Sequence, residues 1–139
     1  MAENTFPIKG ACQCGNVTYE LHEAPQQVFA CHCKECQKLS TSPFSVTAMV
    51  PHGAITFNGE MKDWSRVAES GNRNFAKFCA CCGNRVYHYN PDAPDILKLK
   101  LKPVDVEDDS IFAPSVHIWI CEKQDWYEIP EGMETRDKQ

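Results

Sequence analysis

Two short cysteine motifs set the strongest constraint on how this chain folds. Cys12-Gln13-Cys14-Gly15 and Cys79-Ala80-Cys81-Cys82-Gly83 are separated by residues 15 to 78, 64 in all. Side chains two residues apart on a strand share a face but stand ~6.6 Å apart. Sulfurs around one tetrahedral zinc lie ~3.8 Å apart, from a bond length of ~2.3 Å. The backbone must therefore turn at each pair. Gly15 and Gly83 follow Cys14 and Cys82 and permit that turn, because glycine accepts positive φ. This selects Cys12, Cys14, Cys79 and Cys82 as one four-thiolate site, with Cys81 beside it. Closing the 64-residue loop costs ~3.7 kcal/mol by the logarithmic rule. A structural zinc contributes an apparent ~10–16 kcal/mol. The metal term wins, so an early and a late segment are expected to be clamped together.

The alternative of disulfides fits poorly. Nine cysteines cannot all pair within one chain, and Cys-x-Cys is too tight for routine bridges. Met1 to Lys9 has no apolar signal core, and no stretch approaches membrane-spanning length. The reading is a cytoplasmic chain, where this density of cysteine points to metal or catalysis. A net charge of −5 and no long Lys/Arg run argue against a nucleic-acid partner, including a DNA-binding zinc ribbon.

A third motif is Cys31-His32-Cys33-Lys34-Glu35-Cys36. Three thiols from one short loop leave a fourth zinc position open, which is how catalytic rather than structural zinc is usually built. Cys81 or a histidine could close it instead; His22, His52, His88 and His117 read individually as ordinary polar or packed residues. Three thiolates give a centre of net charge about −1. Coordination deprotonates a substrate thiol, and zinc polarises a carbonyl. Both roles point to chemistry that joins a thiol to an aldehyde. Cys121 reads as a small apolar residue on a late strand.

At 139 residues the chain is expected to be one domain. Val17, Tyr19 and Leu21 alternate with polar neighbours as a half-buried strand. Val28 to Ala30 is a short apolar run, and Lys34 to Leu39 a single helical turn. Phe44 to Val50 and Ala54 to Phe57 read as strands. Asn58-Gly59 signals a hairpin with Lys62 to Val67 as the partner strand. Asn74 to Phe78 and Arg85 to Tyr89 flank the late cysteine knuckle. Asn90 to Pro94 reads as a loop. Leu97, Leu99 and Leu101 form one face of a strand whose other face, Lys98, Lys100 and Lys102, is polar. Ser115 to Cys121 is a late strand, and Trp126 and Tyr127 pack back on the sheet. The expected fold is mainly β: one small domain, residues 8–130, of short coiled antiparallel sheets and hairpins stabilised by zinc, with loose termini at 1–7 and 131–139.

Together these motifs resemble a known family. Gly10-x-Cys12-x-Cys14-Gly15-x-Val17-x-Tyr19, Cys31-His32-Cys33-x-x-Cys36, Phe78-Cys79-x-x-Cys82-Gly83 and Pro114-x-x-His117-Ile118 with Trp126 look like the glutathione-dependent formaldehyde-activating enzymes, also called the centromere-protein-V family. The resemblance runs from about Ile8 to Tyr127. It implies small coiled sheets like those of zinc-bound exchange-factor chaperones. It implies a structural zinc on Cys12, Cys14, Cys79 and Cys82, and a catalytic zinc on Cys31, Cys33 and Cys36. The implied reaction is that of a carbon–sulfur lyase, read in reverse as condensation of glutathione with formaldehyde to S-hydroxymethylglutathione. The chain departs from the family after Cys36, with Gln37-Lys38 where Arg-Lys is frequent and Ser40-Thr41-Ser42 where a glycine is common. Lys38 is a candidate to pair with a carboxylate of the thiol co-substrate. A competing reading is non-enzymatic: a zinc-stabilised module that binds a small thiol or a protein partner.

Overall fold

The computed structural model describes residues 3–139. A three-stranded antiparallel sheet is built from β1 (Ile8–Ala11), β2 (Thr18–Leu21) and β5 (Ile55–Asn58), in the order β1-β2-β5. An eight-stranded sheet holds β3 (Gln27–Cys31), β4 (Ser45–Pro51), β6 (Met61–Val67), β7 (Arg73–Cys79), β8 (Arg85–Asn90), β9 (Ala93–Leu99), β10 (Val116–Ile118) and β11 (Glu134–Thr135). Its order is β11-β10-β3-β4-β9-β8-β7-β6. The pairs β10–β3 and β10–β11 are parallel and the rest antiparallel. The mainly β expectation holds.

The small sheet packs on one face of the large one. The alternation of β2 puts Tyr19 and Leu21 inward, against Val28, Ala48, Val50, Leu97 and Leu99. Tyr19 lies opposite Gly10, and a Cβ on Gly10 would sit 2.2 Å from the Tyr19 ring. Glycine is needed there because the aromatic ring occupies the space over it. The Tyr19 hydroxyl donates to the Leu101 carbonyl at 2.6 Å, so the buried phenol is satisfied.

The opposite face of the large sheet is polar and concave. Register places Trp64 and Arg66 of β6 beside Ala76 and Asn74 of β7, and His88 of β8 beside Ala76 and Lys98. Cys31 and Ser45 pair on the same side. One helix, α1 (Lys34–Ser40), follows β3 and ends at Thr41, whose φ is 48°. It runs to two turns rather than the expected one.

Several local expectations change. Asn58-Gly59 does not close a hairpin: β5 pairs with β2 and β6 with β7, so this turn carries the chain from one sheet to the other. Gly59 is required for a different reason. Its φ is +108°, and a Cβ there would lie 2.1 Å from the Asn16 carbonyl oxygen. The Asn90–Pro94 loop is instead a tight turn, with Asn90 paired to Ala93. The late strand stops at Ile118, because Trp119 takes a left-handed φ of 56° and a 3-10 turn, Ile120–Glu122, follows. Cys121 is thus exposed rather than on a strand, and Cys81 is exposed too. Tyr127 packs on Phe44, but Trp126 is 70% exposed.

The termini are tied down. Met1 and Ala2 of the expected loose start lie outside the described residues. Asn4 donates to the Asp108 carbonyl at 2.8 Å and accepts from its N–H at 3.0 Å. The tail after Glu131 forms β11, with Trp119 N–H donating to the Lys138 carbonyl. A strand edge left open by β10 explains the ordering: its unpaired N–H groups take the tail as partner.

Candidate metal centres and a basic cleft

The four-thiol cluster forms where two turns meet. Cys12 and Cys14 follow β1, Cys79 ends β7, and Cys82 lies in the turn before β8. The four sulfurs lie within 4.8 Å of one another. Cys12 and Cys14 are 3.6 Å apart and Cys14 and Cys79 3.7 Å. Those spacings match a tetrahedral zinc shell, ~3.8 Å between sulfurs. Peptide N–H groups point at the sulfurs: Val17 to Cys12 at 3.2 Å, Asn16 to Cys14 at 3.4 Å, and Cys81 and Cys82 to Cys79 at 3.3 and 3.4 Å. Donors of this kind stabilise thiolate. Burial raises the Cys12 thiol, but the Val17 N–H and the neighbouring thiols outweigh it and bring it to about 6. Gly15 and Gly83 have φ of 81° and 78°, as the tight turns require. The Asn84 carboxamide oxygen accepts from Gln13 N–H at 3.1 Å, a second tie between the turns. None of the nine cysteines is in a disulfide.

The second cluster has three sulfurs. Cys31 ends β3, Cys33 caps α1, and Cys36 sits in its first turn; all three lie within 4.8 Å of one another. Cys33 accepts from Cys36 N–H at 3.3 Å, so the helix start supplies a donor and a positive dipole end to sulfur. Three thiols this close cannot all ionise without a cation. Cys36 is held far below the ordinary thiol range by hydrogen bonds from Cys31 and Cys33, helped by Lys100 and Ser45. Cys31 is pushed far above it by its hydrogen bonds with Cys33 and Cys36 and by burial. The donor set fits a thiophilic divalent ion. Among the described residues no further Cys, His, Asp or Glu joins this group.

His32, flanked by two of those thiols, is fully buried away from solvent. Its Nε2 is 2.7 Å from His117 Nδ1, and its ring packs on Phe44 and Tyr127. Burial, then His117, lowers it to about 4, so the pair is neutral and braces β10 against the cysteine loop. Gln37 is a brace as well: its Nε2 donates to the carbonyls of His32 and Glu122 at 2.8 and 3.0 Å. Lys38 lies at the outer rim, largely exposed, with its Nζ 3.5 Å from Glu35.

The three thiols open onto a cleft of about 380 Å³ on the polar face. Its walls include His88, Lys98, Lys100 and Arg66. Lys100 and Lys102 do not form the solvated face that alternation implies. The Lys100 ammonium donates to Thr47 Oγ1 at 2.7 Å. The Lys102 ammonium donates to the carbonyls of Val46 and Lys100; burial, then Lys100, lowers it to about 8. The strand has two covered faces, and the sequence signal for that was weak: alternating Leu and Lys reads as an amphipathic edge whether the lysines meet water or a cleft. His88 accepts from Arg85 Nη1 at 3.0 Å, since guanidinium can only donate. Burial, then Lys100 and Arg85, holds His88 near 3.

Among the described residues no helix is long and apolar enough to cross a membrane. No curated protein matches the chain. Among solved structures, a Rhodobacter sphaeroides protein, a structural genomics target, is similar at 17% identity and a TM-score of 0.53, over 70% of this chain and 88% of that one. That likeness concerns the fold. The family model for the glutathione-dependent formaldehyde-activating enzyme matches residues 7–122, a span that takes in both cysteine clusters, and the chain belongs to that family.

Proposed function

We propose that this chain is a carbon–sulfur lyase of the S-hydroxymethylglutathione synthase type, joining glutathione and formaldehyde at Cys31, Cys33 and Cys36. The observation that carries the reading is the unequal division of the thiols. Four converge where two turns meet and make a complete ligand set, whereas three converge on the wall of a cleft with no fourth Cys, His, Asp or Glu beside them among the described residues. Cys12, Cys14, Cys79 and Cys82 would hold a structural zinc, and the three-thiol group a second one. Zinc bound there would hold a thiol as thiolate and act as a Lewis acid.

The protein's own residues set up the rest. The Cys31 and Cys33 hydrogen bonds, with Lys100, favour the thiolate form of Cys36, and the α1 start donates an N–H to the Cys33 sulfur. Gln37 and the His32–His117 pair fix the loop that carries the three sulfurs. Lys38 at the rim offers a charge to an incoming carboxylate. In the reaction the glutathione sulfur forms a bond to the formaldehyde carbon. The carbonyl π bond opens, and the thiol proton ends on the new hydroxyl oxygen. Chemistry of this kind needs little acid–base help beyond an available thiolate and a polarised carbonyl. A zinc-stabilised module without turnover remains the competing class.

The test is exchange between free and hydroxymethylated glutathione, followed by NMR at equilibrium. Zinc-loaded protein is expected to speed exchange over background, and Cys33→Ser to abolish the increment while Cys12, Cys14, Cys79 and Cys82 keep their metal. An exchange rate equal to background, with glutathione and other small thiols alike, overturns the proposal. Saturable thiol binding without faster exchange favours the binding module.

A further inference from the structure

The cleft does not end at the cysteines. Glu35, Leu39, Arg66, Asn74 and His88 line both it and an adjoining hollow of about 260 Å³ reaching Trp64 and Arg85. β6 presents Trp64 and Arg66 on the cleft side. Arg85 reaches the same side because β8 carries an extra residue opposite Lys77 and Phe78 of β7. Bulges re-aim side chains in this way. The Arg85 guanidinium lies 5.6 Å from the Trp64 ring and 3.0 Å from His88. Burial, then the like charge of Arg66, depresses the Arg85 guanidinium, so the two arginines feel each other.

Each side-chain carboxylate lining the cleft already has a partner. Glu35 meets Lys38, Glu69 meets Lys138 at 2.9 Å, and Glu122 accepts from Lys34 N–H at 2.9 Å. Among the described residues, Arg66, Arg85, Lys98 and Lys100 have no carboxylate within salt-bridge distance. A chain of net charge −5 thus gathers cations without carboxylate partners inside one concavity. Two guanidiniums held close in part-buried space repel, and an anion between them relieves that. Their planar forks suit a carboxylate held by two parallel bonds.

We infer that Arg66 and Arg85, with Trp64 as a flat backing for Arg85, form a carboxylate-binding subsite that selects thiols bearing a carboxylate at the end remote from sulfur. The subsite deepens the lyase reading above and rests on it for the identity of the reacting end. Neutral thiols such as 2-mercaptoethanol would reach the three cysteines without filling it.

The experiment has one arm independent of turnover. S-methylglutathione, whose sulfur carries no proton to lose, is titrated calorimetrically into zinc-loaded protein, alongside its diethyl ester. Wild type is expected to bind the acid about 10- to 100-fold tighter than the ester. Arg66→Gln with Arg85→Gln should erase that preference, and Arg85→Lys should recover part of it. In the exchange assay the double variant should raise KM for glutathione by a similar factor and leave 2-mercaptoethanol unchanged. Loss of preference in a protein without turnover keeps the subsite and removes the lyase reading. Turnover with an unchanged KM in the double variant, or equal binding of acid and ester by wild type, overturns the subsite.

Discussion

Replacing Gly59 by alanine tests how the sheet-to-sheet turn supports the four-thiol knot. A Cβ at this position would lie 2.1 Å from the Asn16 carbonyl oxygen and 2.9 Å from Val17 Cα. Both atoms belong to backbone, so no rotamer change relieves the contact. The φ of +108° adds strain of ~1–3 kcal/mol for a residue with a side chain. Overpacking adds ~1–3 kcal/mol more, for a total of about 2–6 kcal/mol. At ~2.1 cal/mol/K per residue, the unfolding entropy of 139 residues converts this to a fall in Tm of roughly 7–20 °C. The same displacement moves the N–H groups of Asn16 and Val17, which point at the sulfurs of Cys14 and Cys12. Zinc should therefore leave the four-thiol site faster. Circular dichroism melts and metal release to a chromogenic chelator measure the two effects. Gly53→Ala, with nothing within 4 Å of its Cβ, is the control and should be near neutral. A Tm within 2 °C of wild type and an unchanged release rate for Gly59→Ala would refute the reasoning.

Two further outcomes follow from the cleft. Lys100→Met removes the ammonium beside Cys36. A competition titration should find one class of zinc weakened about 10- to 100-fold and the other unchanged; two unchanged classes would remove Lys100 from the site. His88 is neutral in the fold, with its pKa lowered from 6.5 to about 3. The unfolded chain thus binds the extra proton between those values, and stability falls as pH drops through that window, by up to ~1.4 kcal/mol per unit. His88→Gln should flatten this part of the pH profile; parallel profiles for variant and wild type would show that His88 does not carry it.

The cysteine clusters were legible because metal geometry acts over a few residues. Turn-forming glycines and the Cys-x-Cys spacing report on sulfur positions directly, and Cys82 rather than Cys81 joins the group as the position of Gly83 implied. Strand partners were not legible in the same way. Asn58-Gly59 has the local chemistry of a hairpin, but the contact that demands glycine comes from Asn16, more than forty residues earlier. The basic wall was hidden for a related reason. Arg66 belongs to β6, Arg85 and His88 to β8, and Lys100 directly follows β9, and only the sheet order brings them to one concavity. A single β-bulge decides which way Arg85 faces, and bulges leave little trace in residue type. The polar composition of the tail predicts a loose end; its order comes from the β10 edge it covers.

That covering strand also bears on handling the protein. Gln139 borders the cleft, and Lys138 fastens the same segment to Glu69 across it. A bulky group attached at Gln139 would crowd the mouth of the cleft. Shortening the chain at Glu131 would strip a strand and leave a sticky margin prone to self-association.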